Sequence, residues 1–128
     1  MKITKNTDYG LMFLKELSDS FNKGVYLSTS KISKKYDISE DYLKKIANQL
    51  KTKKLIKAKE GKGGGYILVK DPSKITLDKV MDILEGELMA SPCQYCPKAT
   101  GACGFNSFWE EVGVDWQKYF KNIKLSDL

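Results

Sequence analysis

The sequence predicts a mainly α-helical fold with one small β-hairpin and a long C-terminal helix. Three observations carry this. Apolar residues recur at steps of three and four through most of the first 86 positions. An alternating segment at 55–59 and a short apolar, β-prone one at 66–69 flank a glycine-rich turn at 60–65. Eight aromatic or aliphatic residues between Phe105 and Ile123 then form one helical stripe.

Taken in order, residues 4–19 read as a helix whose apolar face is Tyr9, Leu11, Met12, Leu14 and Leu17. Asn22-Lys23-Gly24 breaks it, and Val25-Tyr26-Leu27 is a short extended piece. Ser28 is placed to cap a helix over 29–36, with Ile32 and Tyr36 facing inward. Asp37-Ile38 makes a tight turn, and Ser39 caps a second helix over 40–53. On that helix Leu43, Ile46, Ala47 and Leu50 share one sector. Asp41, Lys44, Lys45, Asn48 and Lys51 occupy the opposite one.

The hairpin follows, then Asp71-Pro72 as a stop. Thr76 is expected to cap a helix over 77–86, with Ile75 and Val80 as a hydrophobic staple and Gly86 at its end. A last helix over 105–124 carries Phe105, Phe108, Trp109, Val112, Trp116, Tyr119, Phe120 and Ile123. A face this aromatic has to be buried, and a symmetric dimer seam is favoured over packing within so short a chain. Helix, turn, helix and glycine-tipped basic hairpin, in that order, make a winged helix-turn-helix. The chain therefore divides into a DNA-binding head at 1–88, a cysteine loop at 89–104, and a dimerisation helix with tail at 105–128.

Charge points to the same use. The net charge is +6, yet positions 28–70 hold twelve lysines against four acids, and the remainder is slightly acidic. A basic segment of this kind suits a polyanion. On the two short helices Ser28, Ser30, Lys31, Asp41, Lys44, Lys45 and Asn48 are the set expected to face DNA. Lys59, Lys62, Gly63 and Gly64 extend it onto the hairpin, where glycine lets backbone approach phosphates or the minor groove closely. All 22 basic residues are lysine, so arginine's bidentate reading of guanine is excluded. The glycine run joins two strands rather than a strand and a helix, which excludes a phosphate-binding loop of nucleotide enzymes.

All three cysteines, Cys93, Cys96 and Cys103, fall in one eleven-residue window, and histidine is absent. Three thiolates so close suit an iron–sulfur cluster, zinc, or a Cys93/Cys96 thiol switch. An inert loop is the bland alternative. No acid–base or nucleophile–base pair stands out, and histidine's absence removes the commonest general base, so an enzyme is not expected. A thiol-active assembly factor is the nearest alternative. No apolar run nears the ~20 residues needed to span a bilayer. A cytoplasmic protein with reduced thiols and no membrane partner is expected.

Four stretches resemble the Rrf2 family of bacterial winged-helix transcription regulators. They are Lys2-Ile3-Thr4 with Thr7-Asp8-Tyr9-Gly10-Leu11, then Ile38-Ser39-Glu40-Asp41-Tyr42-Leu43, Gly63-Gly64-Gly65-Tyr66, and Cys93, Cys96 and Cys103 leading into Phe108-Trp109. The likeness spans the chain and is nearest to IscR- and NsrR-like members. It implies a homodimer on a palindromic DNA operator, with Ser39, Asp41, Tyr42, Lys44 and Lys45 facing the major groove and Lys62 to Gly64 the minor groove or its phosphates. It also implies an iron–sulfur cluster answering to nitric oxide, redox state or iron–sulfur status, and a repressor is expected. The seam would use Phe105, Trp109, Val112, Trp116, Tyr119, Phe120 and Ile123. Asn106 stands where IscR-like members place a histidine ligand, which excludes that 2Fe–2S ligand set. NsrR-like members complete a 4Fe–4S cluster with an aspartate donated across the dimer, and Asp8 occupies its place. A 4Fe–4S cluster on Cys93, Cys96, Cys103 and Asp8 is therefore the expected cofactor, with zinc as the alternative. Two departures stand out: Glu60 opens the turn where IscR-like members are often basic, and Cys96 comes early in the spacing.

Overall fold

The structure, a computed structural model, describes residues 3–86 and 105–128. Helix α1 (Lys5–Ser20) begins at Thr4, whose hydroxyl oxygen accepts from the Thr7 N–H at 3.4 Å. It buries Phe13, Leu14 and Leu17 completely. The expected apolar face omitted Phe13, which is the largest side chain in the core. A 3-10 turn (Phe21–Lys23) ends at Gly24 with φ 63°. Leu27 then pairs with Tyr66 in a single antiparallel bridge.

Helix α2 (Thr29–Tyr36) is capped by Ser28, and α3 (Glu40–Thr52) by Ser39. Between them Asp37 takes a left-handed conformation, φ 54°, which aspartate tolerates better than most residues. The Ser33 hydroxyl donates to the Ile38 carbonyl at 2.5 Å and fixes the turn. The inward sector of α3 is completely buried. Strands β1 (Ile56–Lys59) and β2 (Gly65–Leu68) pair antiparallel, with Ile56 opposite Leu68 and Lys59 opposite Gly65.

Helix α4 (Leu77–Glu85) places Val80, Met81 and Leu84 in the core, and Gly86 ends it with φ 80°. Thr76 corrects one expectation. It occupies the cap position, but its hydroxyl makes no capping hydrogen bond and is buried without a partner among the described residues. Its backbone is extended, as a cap requires, and pairs with Lys124 in a β-bridge.

That bridge also alters the end of the chain. Helix α5 (Phe105–Lys121) stops three residues earlier than its periodicity suggests. The tail turns extended, so that the Leu77 N–H donates to the Ile123 carbonyl and the Leu125 N–H to the Ile75 carbonyl, both at 2.8 Å. Leu125 is completely buried in the core of the head. Phe120 and Ile123 pack against the same core. The head and the C-terminal tail thus share one core.

Two carboxylates brace the helices. Glu16 accepts from Lys35 at 2.6 Å and Tyr36 at 2.5 Å, tying α1 to α2. Burial draws the Glu16 carboxyl upward, but those hydrogen bonds and the Lys35 charge outweigh it and leave its pKa below the ordinary 4.5. Glu85 accepts from the Thr4 and Thr7 hydroxyls and is lowered by those bonds. A lowered folded pKa contributes stability that is complete above the unfolded value and fades as pH falls through the folded one. The melting temperature of Glu85→Gln should therefore lie below wild type at pH 7, and the gap should narrow below about pH 4. A gap independent of pH would show that the carboxylate's charge is not involved.

Candidate nucleic-acid interface

The cap at Ser39 and the left-handed Asp37 set the angle at which α3 leaves the turn. Its outer sector is solvent-exposed, with Asp41, Lys44, Lys45 and Asn48 free of the core and Tyr42 half-buried. Lys44 lies 3.7 Å from Glu40 one turn earlier, a weak exposed pair. Ser28 and Ser30 are half-buried at the start of α2, whereas Lys31 and Ser39 are exposed. The hairpin presents Lys59, Lys62 and Gly63 fully to solvent and Gly64 in part. The Lys59 ammonium stands 5.7 Å over the ring of Tyr26, a partner the sequence did not suggest. The structure thus gathers the expected residues into an α2–α3 surface and a basic hairpin tip.

At the N-terminal ends of α1 and α3 an open cleft of about 390 Å³ separates Lys5 and Tyr9 from Ser39, Asp41, Tyr42 and Lys45. Tyr9 meets Tyr42 edge-on, centroids 5.6 Å apart. The sequence does not bring Lys5 and Tyr9 beside the start of α3, because nothing local shows that α1 borders α3 here.

A second group escaped notice. The Gln49 amide on α3 donates to the Ile83 carbonyl at 2.6 Å. The Asn6 amide on α1 donates to the Leu84 carbonyl at 2.8 Å and lies 3.3 Å from Gln49 Oε1. Both bonds satisfy last-turn carbonyls of α4 that no helical N–H can reach. They join α1 and the outer helix α3 to the residues just before the cysteine segment.

Cys93, Cys96 and Cys103 lie outside the described residues. Asp8 is exposed in the first turn of α1, and among the described residues no hydrogen bond or ion pair engages its carboxylate. Among those residues no group of three or more carboxylates or thiols could hold a metal, and no helix is long and apolar enough to cross a membrane. On α5, Phe105 and Tyr119 are 66% and 61% exposed, and Phe108 is 50% exposed. Trp109, Val112 and Trp116 are half-buried. Trp116 stacks on Phe120 at 5.3 Å. The stripe therefore divides: Phe120 and Ile123 pack against the core of the head, while Phe105, Phe108 and Tyr119 stay open.

Comparison with known proteins agrees with this arrangement. Residues 3–128 match the model of the Rrf2 family, described as an iron-dependent transcriptional regulator. IscR of Sodalis glossinidius is 25% identical over the whole chain and 78% of its own length. CymR of Bacillus subtilis is 33% identical over 69% of this chain and 63% of its own length. Among solved structures, T. potens IscR superposes with a TM-score of 0.79 at 26% identity, over 99% of this chain and 85% of the other. The B. subtilis global cysteine regulator CymR gives 0.84 at 24%, over 99% and 95%. Helices, hairpin and tail all fall within these matches, and the chain belongs to the Rrf2 family of DNA-binding transcriptional regulators.

Proposed function

We propose that this regulator binds a palindromic operator as a homodimer and that an iron–sulfur cluster on its cysteine segment sets its affinity for DNA. The observation that carries the reading is the placement of all three cysteines in the segment joining α4 to α5. Cys93, Cys96 and Cys103 would hold three irons, and the partner's Asp8 the fourth. The donor set fits: three thiolates suit such a cluster, and Asp8 offers an exposed carboxylate with no competing partner among the described residues. A carboxylate is a weaker ligand for this iron than thiolate, which leaves one corner open to a small reactive molecule. When bound, the cluster supplies the signal-sensitive chemistry.

The chain's own residues supply the rest. The exposed part of the α5 stripe, Phe105, Phe108 and Tyr119, supports burial against a second copy. Gln49 and Asn6 hold the last turn of α4, so a shift of the segment beyond Gly86 is felt at α3. Signal-dependent loss of DNA binding then relieves repression.

Operator affinity should differ between cluster-loaded and cluster-free protein by about 5- to 150-fold, the usual span of such coupling. Fluorescence anisotropy on a duplex from the protein's own promoter measures it. Equal affinities would remove the cluster from control. A second reading, a thiol-controlled regulator, is favoured by the Cys93-x2-Cys96 pair and by the similarity to CymR. It predicts that affinity follows the oxidation state of metal-free protein.

A further inference from the structure

The cleft between α1 and α3 has two walls. One wall is the N-terminal turn of α3, with Ser39, Asp41, Tyr42 and Lys45; the other is the first turn of α1, with Lys5 and Tyr9. Lys5 and Lys45 are both exposed, and no ion pair engages either among the described residues, whereas Lys15, Lys35 and Lys44 each have a carboxylate nearby. An α-helix with its side chains is about 10–12 Å across, and the major groove is about 12 Å wide. Once α3 fills that groove, whatever stands directly beside its first turn on another element meets the phosphate ridge and not the base edges. Lys5 stands there.

We propose that Lys5 is a DNA-backbone contact: the α1–α3 cleft receives the sugar–phosphate strand bordering the major groove, and Lys5 neutralises one of its phosphates. The inference rests on the reading that α3 enters the major groove. Tyr9 has a supporting part, since its ring braces Tyr42 edge-on and holds the α3 wall of the cleft in place. The cleft also contains the carboxylates of Asp37 and Asp41. These disfavour a small free anion on its floor. They do not oppose a duplex whose phosphate runs along the Lys5 rim while Asp41 faces the amino edge of a cytosine or adenine. The ligand is therefore duplex backbone, not inorganic phosphate.

The test compares wild type, Lys5→Ala, Lys5→Arg and Lys45→Ala, as full-length protein, on the operator and on a non-cognate duplex of equal length. Each phosphate contact contributes about 0.9 to the slope of log affinity against log salt. Lys5→Ala should lower the slope by about one on both duplexes, so that its deficit shrinks three- to four-fold between about 50 and 200 mM salt. Lys5→Arg should keep the wild-type slope. If Lys5→Ala leaves the slope unchanged while Lys45→Ala reduces it, the cleft is not a phosphate site, although the DNA-facing reading of α3 stands. A loss confined to the operator would mean base reading and overturn the proposal, as would competition by inorganic phosphate beyond that of chloride at equal ionic strength. Affinity insensitive to salt in every protein would defeat the underlying reading itself.

Discussion

Cys93→Ser is expected to yield a folded, colourless protein with no cluster and an operator affinity equal to that of metal-free wild type. A serine hydroxyl is a far poorer iron ligand than a thiolate at neutral pH, because it stays protonated where the thiol ionises. With only Cys96, Cys103 and a carboxylate remaining, the cluster loses one of the thiolates that anchor it. The fold does not share this loss. Among the described residues the core is built from α1 to α4, the hairpin and Leu125, which carry its packing independently of a thiolate ligand. Circular dichroism and melting should therefore match metal-free wild type, while iron content falls to background. A mutant that retains full iron and normal DNA response would refute the ligand assignment.

The second large effect is expected at Gly65, where the hairpin is joined to the rest of the head. Its φ of 147° lies in a region that L side chains rarely adopt, and an added Cβ would sit 2.3 Å from the Leu27 carbonyl oxygen. That oxygen accepts from the Tyr66 N–H at 2.8 Å, and the Leu27 N–H donates to the Tyr66 carbonyl at 3.0 Å. Gly65→Ala must break this bridge or shift the segment before α2. Backbone strain of about 1–3 kcal/mol plus two hydrogen bonds at about 1 kcal/mol each gives a loss of about 3–5 kcal/mol. For a chain of this size the melting temperature should drop by more than about 10 °C. Gly63→Ala is the control. Its φ is also positive, at 76°, but its Cβ would meet nothing, so it should cost only about 1 kcal/mol. Similar losses in the two variants would mean that the bridge does not anchor the hairpin.

These two sites show what the sequence makes visible and what it conceals. Ser28 and Ser39 were legible as caps because a cap acts on backbone three residues away. The hairpin was legible because alternation and glycines are local, and the inward sector of α3 because its apolar residues share a face. Long-range pairing was not. Nothing near Leu125 marks it as a core residue; it is buried beside the bridge that Lys124 makes with Thr76, 48 residues earlier. Gln49 reads as one more polar residue on an outward sector, and only the fold brings it to the Ile83 carbonyl. Lys5 and Tyr9 likewise come to line a cleft with Ser39, Tyr42 and Lys45 only through the packing of α1 beside α3. The cysteine window, by contrast, was evident from spacing alone, while its ligand chemistry rests on the family resemblance and on Asp8.

The central claim is that this chain controls DNA through iron and sulfide held by its cysteines. The most direct test is an iron and acid-labile sulfide count on wild-type protein purified without oxygen, together with its visible spectrum. A 4Fe–4S cluster on these cysteines would give a coloured protein with about four irons and four sulfides per chain. A colourless protein carrying one zinc, or no metal at all, would contradict the claim.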